Sequence, residues 1–289
     1  MDEITLKALA KINLGLDVVR RREDGYHEVR MIMQTIHLYD LLEIQKIREP
    51  EIQIVSNLSF LPVNENNLVY KAARLLQEEF ALTDGISVKL TKRIPVAAGM
   101  AGGSTDAAML YAMNQLYDLG LSRRELMKRG VQIGADVPYC LMRGTALAEG
   151  IGEKLTQLPP MIKCPVLIAK PSISVSTRFV YQNLKLDEQT NHPDIDALMK
   201  DIREKDFDGV CAHMGNVLES VTIPNYPVIA EIKQQMMRSG AKASMMSGSG
   251  PTVFGLFEDG ETAKRALREM KRSGLAKQVY LTTIYNRRK

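Results

Sequence analysis

From Ile4 to Val18 the even positions are apolar (Ile4, Leu6, Ala8, Ala10, Ile12, Leu14, Leu16, Val18), while Glu3, Thr5, Lys7, Lys11, Asn13 and Asp17 take odd ones. A period of two predicts strand with one face in the core. Lys11 and Asn13 share the opposite face. Against bulk solvent they are ordinary surface residues; lining a cleft, they are a charged, hydrogen-bonding pair. RRREDGYHE (20–28) carries Asp24-Gly25, a tight-turn signal between strands, with Tyr26 and His27 just beyond it. MIMQTIHLYDLLEIQKI and EIQIVS predict further strands of one antiparallel sheet. At Asn67–Phe80 the period changes: Leu68, Ala72, Leu75, Leu76 and Phe80 form a helical stripe, with Asn66 or Asn67 as cap.

ISVKLTKRI (86–94) alternates again and leads into PVAAGMAGGSTDAA (95–108), a run of small residues whose longest side chain is Met100. A helical stripe follows, to about Leu119, with Ser104, Thr105 and Asp106 as candidate N-caps. Strand, small-residue loop and helix in this order suit an anion, because backbone N–H groups approach it closely and the helix start adds partial positive charge. The same run also serves as a plain tight connection. Neither the Walker pattern nor G-x-G-x-x-G occurs in it. Ser122–Glu125 is a capping box for another helix, ended by Gly134, and IGADVP (133–138) is a turn leaving it. GTALAEGIGEKL (144–155) predicts a hairpin.

Pro159-Pro160 marks the best boundary, dividing the chain into 1–158 and 159–289. Beyond it, CPVLIAKPS predicts a buried strand, and helices are expected at 193–204, 208–220 and 226–239. Then come strand 243–246, the turn Ser247–Gly250, strand 252–257, helix 261–272 and strand 278–285. This alternation predicts an α+β sandwich of ferredoxin-like type.

With 289 residues the chain has room for two domains, and 45% hydrophobic with 25% charged residues is ordinary for a globular protein. A net charge of +4, no Trp and only six Phe argue against nucleic acid as a partner. Cys140, Cys164 and Cys211 are widely spaced, without a His cluster, and read as buried thiols. MDEITLK has no apolar signal segment and no run approaches 18 apolar residues, so a cytoplasmic protein with no membrane partner is expected.

Three features occur in order: AKINLGLDV (10–18), P-x-x-x-G-M-A-G-G-S-T-D-A-A (95–108) and S-G-S-G-P-T-V-F (247–254). Together they resemble the GHMP kinases, the superfamily of galactokinase and the homoserine, mevalonate and phosphomevalonate kinases. The resemblance implies an α+β GHMP kinase fold, with an N-terminal ribosomal-S5-like domain and a C-terminal ferredoxin-like domain. A-K-I-N (10–13), D-G-Y-H (24–27), I-G-A-D-V-P (133–138) and V-S-T-R-F-V-Y (175–181) further resemble one branch. That branch uses ATP to phosphorylate the 2-hydroxyl of 4-diphosphocytidyl-2-C-methyl-D-erythritol, in non-mevalonate isoprenoid biosynthesis.

The resemblance implies roles for particular residues. Pro95, Val96, Ala97, Ala98, Gly99, Met100, Ala101, Gly102, Gly103, Ser104 and Thr105 would hold the ATP phosphates, with Asn67 and Leu68 on the adenine side. Asp136 would be the base and Lys11 its charge partner, with Asn13 orienting the alcohol. Tyr26 and Tyr181 would sandwich the cytosine, His27 would read its edge by ring or backbone, and Thr177 belongs to the same substrate site. Mg²⁺ is expected with ATP, and no dedicated carboxylate ligand is evident. Oligomeric state is expected to be monomer or weak homodimer. Met100, Ala101 and Thr105 depart from the commoner family residues, and Ala101 implies negative φ there, since Ala tolerates positive φ poorly. Ser247–Gly250 reads equally as a phosphate contact or a structural turn. Two alternatives stand beside this reading: another small-alcohol kinase of the superfamily, and a catalytically silent nucleotide-binding relative.

Overall fold

Nine consecutive residues of the first strand, Ala8–Leu16, are buried on both faces, so the polar face carrying Lys11 and Asn13 is not turned to bulk solvent. The computed structural model describes residues 1–100, 103–188 and 190–287. In chain order the elements are β1 (Glu3–Arg21), β2 (His27–Ile47), β3 (Ile52–Ser56), α1 (Leu68–Glu79), β4 (Gly85–Thr91), α2 (Ser104–Leu116), α3 (Arg123–Ile133) and α4 (Val137–Met142). Then follow β5 (Thr145–Gly150), β6 (Lys154–Gln157), β7 (Pro165–Lys170), α5 (Thr177–Asn183), α6 (Ile195–Glu204), α7 (Phe207–His213) and β8 (Gly215–Asn216). The chain closes with α8 (Glu219–Asn225), α9 (Val228–Arg238), β9 (Ala243–Met246), β10 (Val253–Leu256), α10 (Gly260–Ser273) and β11 (Gln278–Thr283).

Two compact units divide the chain, and they interleave along the sequence. The first comprises Met1–Ala10, Leu38–Ile94 and Ala101–Met142. In it, β4 runs antiparallel to Leu41–Ile47 of β2, and β3 runs parallel to β4. The parallel pair departs from the all-antiparallel expectation because α1 lies between the two strands and makes the connection a crossover. Asn67 is the cap of α1, accepting from Val69 N. α2 is buried at nearly every position and packs against α1, α3 and α4.

The start of α2 differs from expectation. Gly103 is the N-cap and makes no side-chain bond, so Ser104, Thr105 and Asp106 form the first turn instead of capping it. A Cβ at Gly103 would lie 2.9 Å from Val137 Cγ2, which leaves no room for a capping side chain. The capping box at Ser122 and Glu125 forms as expected, and Gly134 ends α3.

The second unit comprises Lys11–His37, Pro95–Met100 and Arg143–Lys289. Val29–Gln34 of β2 pairs antiparallel with β5, and β5 with β6, which is the expected hairpin. A separate antiparallel sheet runs β11-β7-β10-β9, with α9 and α10 against it. The order β7-α9-β9-β10-α10-β11 is the ferredoxin-like βαββαβ pattern. The helix expected over 208–220 is broken: α7 stops at His213, because Gly215 and Asn216 pair with Gly15 and Leu16 of β1. α4 and α5 had no clear sequence signal, being short and without a full apolar repeat.

Candidate active site

In the second unit, Lys11 and Asn13 project from adjacent same-face positions of β1. Lys11 Nζ donates to Asn13 Oδ1 at 2.8 Å, and Asn13 Nδ2 donates to Met31 Sδ at 3.3 Å. Both are buried, at 5% and 0% exposure. An ammonium out of water is stable only with polar partners around it, so this pair is built in and held. The backbone N–H of Lys11 donates to Met100 O, which ties the strand to the small-residue loop.

That loop segment, Pro95–Met100, is pinned from inside. Ala98 and Met100 are buried, while Val96 and Ala97 are exposed. Ala97 and Gly99 adopt positive φ, +50° and +68°. Ala101 and Gly102, the latter half of the expected phosphate loop, lie outside the described residues. Ser247 Oγ donates to Gly99 O at 2.9 Å, and a Cβ on Gly99 would fall 2.1 Å from Ser247 O. The two glycine-rich turns therefore meet backbone to backbone. Asn216, which no sequence signal marks, holds the second turn: its Nδ2 donates to Met246 O and Gly248 O, each at 2.8 Å.

The same unit contains a cavity of about 660 Å³ lined by Tyr26, His27, Thr177 and Tyr181, all four expected, together with Arg21, Arg178 and Gln182, which were not. The His27 and Tyr181 rings lie 5.1 Å apart at 44°. Tyr26, beside the Asp24-Gly25 turn, is 62% exposed, so its ring stands open to a planar ligand. Burial, then the Arg21 charge, depresses the His27 pKa. A neutral imidazole offers one donor and one acceptor, the complement a nucleobase edge needs. Thr177 Oγ1 is 2.8 Å from Ser249 Oγ, linking the α5 start to the second glycine turn.

In the first unit, Asp136 is half-buried in the turn before α4, and its carbonyl accepts Cys140 N at 3.0 Å. Gly103, Ser104 and Thr105 open α2, where first-turn N–H groups have no acceptor within the helix. The Asn67 side chain holds local structure: besides capping α1, its Nδ2 donates to Pro62 O at 2.6 Å, while Leu68 is 39% exposed. Beneath the segment leaving β4, the buried Asp40 carboxylate accepts from Arg93 N and Ile94 N and pairs with Lys92. Asp40, Lys92 and Asp106 carry no periodic signal that separates them from ordinary polar residues.

Known proteins align with this architecture along its whole length. The GHMP kinases N terminal domain family matches residues 67–144, and the GHMP kinases C terminal family matches 198–276. A protein of Lachnospira eligens named 4-diphosphocytidyl-2-C-methyl-D-erythritol kinase is 59% identical over 286 residues, 99% of each chain. Its namesake in Lachnoclostridium phytofermentans is 55% identical, over 99% of this chain and 98% of that one. A crystal structure of 4-(cytidine 5'-diphospho)-2C-methyl-D-erythritol kinase superposes with TM-score 0.85 at 30% identity, covering 98% of this chain and 100% of the other. Homoserine kinase from Cytophaga hutchinsonii, at 22% identity and TM-score 0.78, shares the fold. The chain thus belongs to the 4-diphosphocytidyl-2-C-methyl-D-erythritol kinase family of the GHMP kinases.

Proposed function

We propose that this chain is an ATP-dependent small-molecule kinase that phosphorylates the 2-hydroxyl of 4-diphosphocytidyl-2-C-methyl-D-erythritol, a step of isoprenoid precursor biosynthesis. The observation that carries the reading is the cavity in which His27, Tyr26 and Tyr181 present two rings and a base-reading group together, in a chain 59% identical to a kinase of that name. A kinase for a small aliphatic alcohol has no use for such a wall.

Phosphoryl transfer needs placed reactants and countercharge more than covalent help. In this reading the alcohol oxygen attacks the γ-phosphorus, the new O–P bond forms as the bond to the β-phosphate oxygen breaks, and ADP leaves. Asp136 accepts the hydroxyl proton. The Lys11 ammonium, fixed by Asn13 at 2.8 Å, supplies positive charge for the attacking oxygen, and Asn13 helps orient the alcohol. The Pro95–Thr105 stretch holds the triphosphate, with Asn67 and Leu68 near the adenine. Among the described residues no group of three or more His, Cys, Asp or Glu could hold a metal ion. Mg²⁺ is expected with ATP, and no residue is named as its ligand.

The division into 1–158 and 159–289 is supported by the two family matches, which fall one on each side. A cytoplasmic location is part of this proposal; among the described residues no helix is long and apolar enough to cross a membrane. We expect a monomer or weak homodimer.

The test is ADP release with ATP-Mg²⁺, comparing 4-diphosphocytidyl-2-C-methyl-D-erythritol with mevalonate, homoserine and galactose. Turnover on the cytidylyl substrate alone is expected. Turnover only on another alcohol overturns the cytosine site, and nucleotide binding without any turnover makes the chain a silent relative.

A further inference from the structure

Among the described residues β9 is an edge strand, bonded in its sheet to β10 alone. An edge leaves backbone N–H and C=O groups open, and where it is buried they need partners from outside the sheet. At Met246, which is 0% exposed, two side chains meet that need. Asn216 Nδ2 donates to Met246 O at 2.8 Å, and Glu219 Oε1 accepts from Met246 N at 2.8 Å. Glu219 is itself held by Lys233. Asn216 Nδ2 donates a second time, to Gly248 O at 2.8 Å, inside the Ser247–Gly250 turn.

Asn216 is rooted beside the strand that carries Lys11 and Asn13: it pairs with Leu16 of β1, and Val217 N donates to Leu16 O at 3.0 Å. Its Oδ1 accepts from Leu218 N at 3.0 Å. One buried amide thus uses an acceptor and both donors, a set that neither an ionised Asp nor a Ser supplies. The turn it grips reaches two places in the same unit. Ser247 Oγ donates to Gly99 O at 2.9 Å, one residue before Met100, whose carbonyl accepts from Lys11 N at 3.2 Å. Ser249 Oγ lies 2.8 Å from Oγ1 of Thr177, in the wall of the Tyr26–Tyr181 cavity. Both serines are buried, and the two glycines of the turn bring no side chain to hold it, so Asn216 fixes it from outside.

We propose that Asn216 is a positioning residue for both substrates: by holding the Ser247–Gly250 turn it sets Gly99 on the nucleotide side and Thr177 on the cytidylyl side. The inference rests on the proposed reading of Pro95–Thr105 as the seat of the triphosphate and of the Tyr26–Tyr181 cavity as the cytosine site. Asn216→Asp isolates the donor role. The carboxylate keeps the volume and the acceptor for Leu218 N, so the local turn after β8 survives. It loses both donors and sets negative charge against two carbonyl oxygens, which releases Met246 O and Gly248 O.

Initial-rate kinetics with ATP-Mg²⁺ and 4-diphosphocytidyl-2-C-methyl-D-erythritol test this. Asn216→Asp should raise the KM for both substrates by about fivefold or more, the factor that one lost hydrogen bond carries. Ser247→Ala should raise mainly the KM for ATP and Ser249→Ala mainly that for the cytidylyl substrate, which keeps the proposal testable where Asn216→Asp fails to fold. A lower melting temperature with both KM values unchanged makes Asn216 purely structural and overturns the inference, as do serine variants that leave both KM values at wild type. Amide hydrogen exchange gives a readout that needs no turnover: the Lys11 and Gly250 amides, bonded to Met100 O and Ser247 O, should exchange faster in Asn216→Asp. Unchanged exchange at both overturns the inference. Wild type without turnover on the cytidylyl substrate overturns the functional reading instead, and the exchange rates then decide whether Asn216 holds the turn.

Discussion

Replacing Asp40 by Asn tests what holds the segment from β4 toward the small-residue loop. The Asp40 side chain is 0% exposed and that of Lys92 11%. Oδ1 of Asp40 accepts Arg93 N at 2.6 Å and Ile94 N at 2.8 Å. Asn preserves the volume and, through its amide oxygen, an acceptor for both N–H groups. It removes only the negative charge opposite Lys92. At an exposed pair that is worth about 1 kcal/mol or less. Breaking one side of a buried pair costs roughly 3–5 kcal/mol, because the surviving charge is left uncompensated. Lys92 keeps slight access to water, and Asp106 can ionise to meet it, so a loss near the lower end, about 3 kcal/mol, is expected. Urea denaturation of wild type, Asp40→Asn, Lys92→Met and the double variant measures it. The double variant should lose less than the sum of the single losses, by about 2 kcal/mol or more. A single-variant loss below about 1 kcal/mol, or additive losses, would refute the account of a buried, mutually dependent pair.

Other expectations follow from the same geometry. Gly99→Ala places a Cβ 2.1 Å from Ser247 O at φ +68°, so the two glycine turns must separate. It should lose at least about 2 kcal/mol of stability and raise the KM for ATP, and near-wild-type values for both would contradict the contact. Asp136→Asn should retain ATP binding in calorimetry while turnover collapses by roughly 10²-fold or more, and near-normal turnover would remove Asp136 as the base. Tyr26→Ala with Tyr181→Ala should raise the KM for the cytidylyl substrate and leave that for ATP nearly unchanged; equal increases would count against a cytosine site. Because the Asp106 carboxyl titrates at about 7 in the folded chain against an ordinary 3.8, folded protein retains a proton that unfolded chain has released between those pH values. Stability should therefore fall as pH rises across that window, by up to about 1.4 kcal/mol per unit, and Asp106→Asn should flatten the decline in thermal-melt measurements.

Much of this was legible in the chain because the signals are local. The period of two in β1, the Asp24-Gly25 turn, the α1 stripe, the Ser122–Glu125 capping box and the βαββαβ order of the C-terminal stretch each depend on neighbours within a few residues. What escaped depends on distant partners. The alternation of β1 places Lys11 and Asn13 on a polar face, and only tertiary packing removes that face from water. Ser104 and Thr105 look like caps, yet Val137 crowds Gly103 and makes the glycine itself the cap. β3 pairs parallel because of the helix that follows it, which its own residues do not record.

Asp106 shows the limit most clearly, because its sequence context argues for the opposite state. An acid three residues inside a helix start is a favourable charge by local rules, and by those rules its pKa should fall. Four separate facts reverse that: 1% exposure, and, among the described residues, an orphaned oxygen, a lysine already committed to Asp40, and no other cation acting on it. None is visible within one helical turn of sequence. Burial, set by α1, α3 and α4 closing around α2, is what favours the neutral carboxyl at Asp106.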